Sequence, residues 1–207
     1  MDFRWAYKSA VATFTDLVYR VPEDRWDGPG LGEWTLRELT GHVVGSALRE
    51  VPRALGGPAA TVDVASPEGY WAFAQAAPAE VVAAVRAAAT EDARKTAAEF
   101  GVSPAAGVAE YARAATQALS AAGDADVVLT AVGGMRVREW IPTRTFELVV
   151  HGLDVAAAAG AEVEFAEEVL AAVTLQAARV AATSKEKTLV LRALTGRATL
   201  PPDFSVV

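Results

Sequence analysis

The stretch TRTFELVVHGLDVAAAAG, residues 143–160, decides how this chain is read. Phe146, Val149, Val150, Leu153 and Ala157 recur at helical spacing and predict a core-facing stripe, with Leu148 and Val155 adding apolar surface on the other side. Between them runs a polar line of Glu147, His151 and Asp154. Residues four apart lie one turn above another, about 40° around the axis, so Glu147 and His151 can point at one spot. An ionised carboxylate flanked by apolar surface needs a partner, because desolvating it alone is costly. A divalent metal is one such partner, and two ligands at i and i+4 on one helix are a common start for a zinc site.

A third ligand has one candidate imidazole, since the chain has two histidines in all. His42 follows Thr35-Leu36-Arg37-Glu38, a capping box in which hydroxyl and carboxylate satisfy free N–H groups at a helix start. That helix has an apolar face of Leu36, Leu39, Val43, Val44, Ala47, Leu48 and Val51, and His42 shares a polar stripe with Glu38, Gly45, Ser46 and Arg49. His42, Glu147 and His151 would leave an open fourth position, as catalytic zinc requires, although nitrogen and oxygen ligands also suit nickel, iron or manganese. The spacing equally admits a plain Glu147–His151 pair and a solvated His42 beside Glu38.

Further out, the chain predicts helices over 2–21, 35 to about 56, 67–75, 78–100, 104 to about 123, 164–182 and 186–195. The informative helix is expected to begin at Pro142 or Thr143, and Pro52 to kink or end its own helix. Residues 127–140, VVLTAVGGMRVREW, read as a small β-hairpin around the two glycines, with an irregular loop as the competing reading. The fold class is all-α: a single domain over 1–207, a four-helix bundle with extra short helices and one small hairpin.

Composition narrows function. Hydrophobic residues are 52% and charged ones 22%, a globular balance. A net charge of -7 repels a phosphate backbone, so no nucleic-acid partner is expected. With no cysteine, thiolate ligands and a cysteine nucleophile are excluded, and any thiol would have to arrive with a ligand. The opening MDFRWAYKSA is unlike a secretory signal, and no run of about 18 apolar residues occurs, so a cytoplasmic protein off the membrane is expected. GPGLG (28–32) lacks a preceding strand, which makes a nucleotide loop a weak reading. The five tryptophans are expected in the core or at its rim, with Tyr70 and Trp71 able to line a pocket mouth. Arg144 is read as the salt-bridge partner of a surface carboxylate, a substrate-anion contact being the other reading.

Segment 31–43, LGEWTLRELTGHV, resembles the W-T-x-x-[ED]-x-x-x-H signature of the DinB/YfiT-like and mycothiol-dependent maleylpyruvate isomerase superfamily. Segment 147–160 resembles its second signature, E-x-x-x-H-G-x-D-x-A-x-x-x-G, and the likeness continues to LRALTGR (191–197). The resemblance implies a metal triad of His42, Glu147 and His151, an up-down-down-up bundle, a homodimer, and a metal that activates a low-molecular-weight thiol such as mycothiol. The isomerase has a second, C-terminal domain, for which 207 residues are expected to leave little room. It also holds a dicarboxylate with arginines, and AFAQAAPA (72–79) has none where one would align, so maleylpyruvate is not the expected substrate.

Three functions follow as expectations. The first is a thiol-using transferase or isomerase acting on a small electrophile, with Asp154 as the candidate catalytic residue, hydrogen-bonding a ligand imidazole or the incoming group, or else merely a helix-surface carboxylate. The second is a hydrolase or lyase working through metal hydroxide. The third is a non-catalytic dimeric metal-binding bundle.

Overall fold

Asp2 starts the first helix: its carboxylate accepts from the Arg4 N–H at 2.8 Å, meeting one of the donors a helix start leaves free. The structure, a computed structural model, describes residues 2–202 and 204–207, with the side chains of all but Phe73 and Ala74. Helix α1 spans Phe3–Arg20 and buries Ala6, Tyr7, Ala10, Val11, Phe14, Leu17 and Val18. Thr35 caps α2 (Leu36–Val43) in the expected box: its hydroxyl accepts from Glu38 N at 3.2 Å while Glu38 accepts from Thr35 N at 2.9 Å.

From α2 the helical path continues through a wide π turn, Val44–Arg49, into α3 (Glu50–Leu55). Pro52 therefore does not end the helix. Its ring would crowd the carbonyl one turn back, and the wider turn just before it opens that spacing. The Ser46 carbonyl accepts from Arg144 at 2.8 Å and the neighbouring Ala47 carbonyl from the Tyr7 hydroxyl at 2.7 Å. Two side chains from other helices thus pin the turn.

Helices α4 (Pro67–Ala76), α5 (Ala79–Glu99) and α6 (Pro104–Ala121) follow, then strands β1 (Val127–Thr130) and β2 (Gly133–Arg136), then α7 (Val137–Ala159), α8 (Glu167–Thr183) and α9 (Lys187–Leu194). The hairpin turns at Ala131 and Val132, so both glycines lie in β2 rather than in the turn. Gly134 is needed there because the loop before α4 crosses it: a Cβ would sit 1.9 Å from the Thr61 carbonyl oxygen.

Helix α7 begins at Val137, ahead of the expected Pro142 or Thr143, so residues 137–140 are helix and not strand. Its first N–H groups are met from outside: Val137 donates to Asp126 O at 2.9 Å and Arg138 to Asp124 O at 3.2 Å. Pro142 lies inside α7, in its second turn, where it removes the backbone bond that would run to the Arg138 carbonyl. The buried face also differs from expectation. Leu153 is 46% exposed and Ala157 is exposed, whereas Leu148, Gly152, Val155, Ala156 and Ala159 are buried with Phe146 and Val149. Gly152 centres this face, with Phe165 so close that a Cβ would come within 2.8 Å of its ring.

Contacts fix the bundle's sense. Arg4 at the start of α1 binds Ala122 O just past the end of α6 at 2.6 Å, so α1 and α6 are antiparallel. Phe14 of α1 lies against Gly152 of α7, and Phe3 and Pro142, toward their N-terminal ends, line one pocket, so those two helices are parallel. His42 faces Glu147 and His151 while Ser46 faces Arg144, so α2 runs against α7. The four helices α1, α2–α3, α6 and α7 therefore run up, down, down, up around Tyr7, Phe14, Leu39, Leu48, Leu119, Trp140 and Leu148. Helix α5 lies outside, against α2. Among the described residues no helix is long and apolar enough to cross a membrane.

Candidate metal centre

The polar stripe on α2 and its wide turn divides between two neighbours. Glu38 pairs with Arg94 of α5 at 3.1 Å and Arg49 with Asp92 of α5 at 2.5 Å, while Gly45 lies beneath Asp92. His42 and Ser46 turn the other way, toward α7. His42 Nε2 lies 3.7 Å from Glu147 Oε2, and His151 Nε2 lies 3.6 Å from that same oxygen. One ligand atom from each of the three residues falls within 4.8 Å of the others. Donors about 2.1 Å from a tetrahedral ion lie about 3.4 Å apart, so two of the three edges already approach the spacing a cation needs. The site is sheltered but reachable, with side chains 18%, 16% and 21% exposed for His42, Glu147 and His151.

The electrostatics suit a cation. Burial alone would push the Glu147 carboxyl up, but the His42 ring, Arg144 and His151 outweigh it and hold it down to about 2. It is ionised at any working pH. Burial alone would push His151 down; its hydrogen bond to Asp154 and the charge of Glu147 prevail, and the ring holds its proton more tightly than an ordinary histidine. His151 Nδ1 lies 2.9 Å from Asp154 Oδ2, which leaves Nε2 for the shared focus.

The walls were only partly foreseen. Trp34 stacks on His42 with ring centroids 4.8 Å apart and is itself tied to α5 by its Nε1 donating to Thr90 Oγ1 at 3.3 Å. Its place immediately before the capping threonine was the available signal: a residue just ahead of a helix start packs back on the first turns. His42 also meets His151 in a T-shaped arrangement, ring centroids 5.0 Å apart. A cleft of about 570 Å³ between the turn at 24–31 and α7 reaches Asp154. Trp26, Trp71 and Trp140 are core, Trp71 packing on Phe146 at 4.8 Å, while Trp5 is exposed.

Arg144 departs from its reading as a surface salt-bridge partner. It is 3% exposed and pairs with no carboxylate among the described residues. Its place on α7 next to Thr143 and Thr145, both buried, draws it inward, where its guanidinium covers the Tyr70 ring at 4.8 Å.

The family model described as mycothiol maleylpyruvate isomerase N-terminal domain matches residues 7–156. That span holds all three residues of the cluster and most of the bundle. No curated protein and no solved structure matches the chain. By a match over well more than half its length, the chain belongs to the mycothiol maleylpyruvate isomerase N-terminal domain family.

Proposed function

We propose that the protein is a divalent-metal-dependent enzyme, zinc being the fitting ion, that uses a small thiol such as mycothiol to transfer to, or isomerise, a small electrophile. The convergence of two imidazole nitrogens and one carboxylate oxygen within 4.8 Å carries this reading. Three protein ligands leave a fourth position for an exogenous group, and the chain has no thiol of its own. A bound divalent cation would supply a Lewis-acidic position that favours the thiolate form of an incoming thiol. The chain's own part is preparation. Glu147 offers its carboxylate without losing a proton, Asp154 fixes the His151 tautomer, and Trp34 shields one side of His42 from water.

The decisive test combines metal analysis of purified protein with thermal unfolding in mycothiol, with and without chelator. Mycothiol should raise the melting temperature of the metal-loaded protein by mass action, and chelation or His42→Ala should abolish the rise. Metal without a mycothiol effect would favour water-based hydrolysis or lyase chemistry instead.

Two further results follow. Asp154→Ala frees the His151 ring, and loss of such an outer hydrogen bond lowers metal affinity roughly 10- to 100-fold, with Asp154→Asn in between. Competitive chelator titration measures it, and an unchanged affinity would assign Asp154 to the solvated surface. Metal affinity should also fall with acidity. A bound cation needs an unprotonated His151, whose proton is held above the ordinary range, so affinity drops by about tenfold per pH unit below that raised value. Metal-free protein shows the opposite sign for this residue. There, protonated His151 stabilises the fold fully below its unfolded value, and that stability is lost as pH rises through the folded one. Unfolding curves of both forms across pH distinguish the two slopes.

A further inference from the structure

Across α7 from the metal centre lies a second cleft, of about 450 Å³, walled by the first turns of α1, α4 and α7 and by the middle of α8. Thr145 lines it, two residues before Glu147 and therefore about 200° around the α7 axis from that ligand. The volume suits a small molecule, and the floor, with Phe3, Ala6 and Val173, is apolar. Phe3, Ala6 and all of α8 lie outside residues 7–156, so the span matched to the family does not contain this cleft.

Three polar groups on its wall are short of partners. Gln176 lines the cleft at 8% exposure, and its Nε2 is buried with no hydrogen-bond partner among the described residues. A buried amide donor left unmade is costly, and the soft last torsion of a glutamine lets Nε2 swing to the opening. Thr145, also buried, spends its hydroxyl hydrogen on Ile141 O at 3.2 Å, so it has only lone pairs to offer a ligand. Pro142 has no N–H, which leaves the Arg138 carbonyl without its helix bond, and both residues line the cleft. One donor thus stands with two acceptors. The rim charges cancel: Arg138 pairs with Glu139 at 3.1 Å, and Glu68 and Arg179 carry one charge of each sign. Such a rim favours neither an anion nor a cation. A neutral primary carboxamide has the matching set, one C=O and two N–H groups.

We infer that this cleft is a second binding site, taking a small neutral molecule with an apolar body and a carboxamide head. The carboxamide oxygen accepts from Gln176 Nε2, its N–H groups donate to Thr145 Oγ1 and the Arg138 carbonyl, and the apolar body lies on the floor. Nothing in the site calls on the metal, so it goes beyond the thiol-enzyme reading and stands or falls without it. The probes are benzamide, its charged isostere benzoate, and acetophenone, which keeps the carbonyl and lacks the N–H groups. They are read by thermal unfolding of the full chain, with zinc and with chelator.

Benzamide should give a saturable rise in melting temperature, about 3 °C at ten times its Kd, unchanged by chelator. Acetophenone should bind more weakly, and benzoate should do no more than chloride at matched ionic strength. Gln176→Leu, close in size to glutamine and without its donor, should weaken benzamide about tenfold. Ala172→Phe builds a ring into the cleft from a half-buried position on α8 and should abolish the rise; it carries the test if Gln176→Leu does not fold. No rise with benzamide, an equal rise with benzoate or acetophenone, or full benzamide binding in either folded variant would overturn the site. A rise lost on chelation would overturn it too, because benzamide would then sit on the metal. Failure of the zinc reading is seen separately, as wild-type protein that takes up no zinc and still responds to benzamide.

Discussion

His42→Ala should lower metal affinity by about a thousandfold or more and abolish the metal's contribution to stability. The remaining pair, Glu147 and His151, sits on one helix and offers two ligands where the cluster offers three. If a three-ligand zinc site is worth on the order of 10 kcal/mol, losing one ligand removes roughly 4 kcal/mol, which corresponds to about three decades in affinity. The substitution also removes the bridge between helices. His42 is the ligand that arrives from α2, so without it the metal no longer clamps α2 to α7. Metal-free protein should suffer less, because a partly exposed imidazole beside Trp34 and His151 leaves room that water can enter. Chelator competition and paired melting curves, with and without metal, read the two effects apart. Wild-type affinity in His42→Ala would remove His42 from the ligand set.

How much of this was legible in the sequence varies with the range of the interaction involved. The capping box at Thr35, the apolar face from Leu36 to Val51 and the stop at Gly160 are local, and each stands where the residues put it. The facing of His42 toward Glu147 is not local. Its hint was compositional: two histidines, both on polar stripes of otherwise apolar helices. Periodicity failed where an element is covered from several sides. Around α7 the buried arc is wide and centres on Gly152, so Leu153 falls outside it while the small residues Ala156 and Ala159 fall inside. Arg144 misled for a related reason. A charged residue in an amphipathic pattern reads as solvated, and only tertiary structure shows Tyr70 lying over it and the carbonyl of a distant turn accepting from it. The wide turn itself has no sequence signature beyond Pro52, whose missing N–H says that something must give without saying where.

The same distinction governs Gly41, which precedes His42 and reads as an ordinary weak point inside a helix. In the structure a Cβ there would lie 2.3 Å from the Ala93 carbonyl oxygen, 3.0 Å from Ala97 N and 3.1 Å from Ala97 Cβ. The first two are backbone atoms of α5, so no rotamer change can make room and the two helices must separate. Gly41→Val should therefore destabilise the fold by about 3 kcal/mol or more, even though a mid-helix glycine replaced by a better helix former would otherwise gain stability. Gly56→Ala is the control. Gly56 caps the end of α3 with a φ of −79°, and a Cβ there would meet its nearest neighbours at 3.4 and 3.5 Å, so the variant should stay within about 1 kcal/mol of wild type. The effect should also reach the metal site. Glu38–Arg94, Arg49–Asp92 and the Trp34–Thr90 hydrogen bond all span the seam that Gly41 closes, and Trp34 is the wall behind His42. Prising α5 away should expose Trp34 and red-shift its fluorescence, while Trp26, Trp71 and Trp140 stay buried in the bundle. If Gly41→Val unfolds at the wild-type temperature, α5 does not pack against α2 as closely as its backbone contacts require, and the Trp34 wall behind His42 does not depend on that seam.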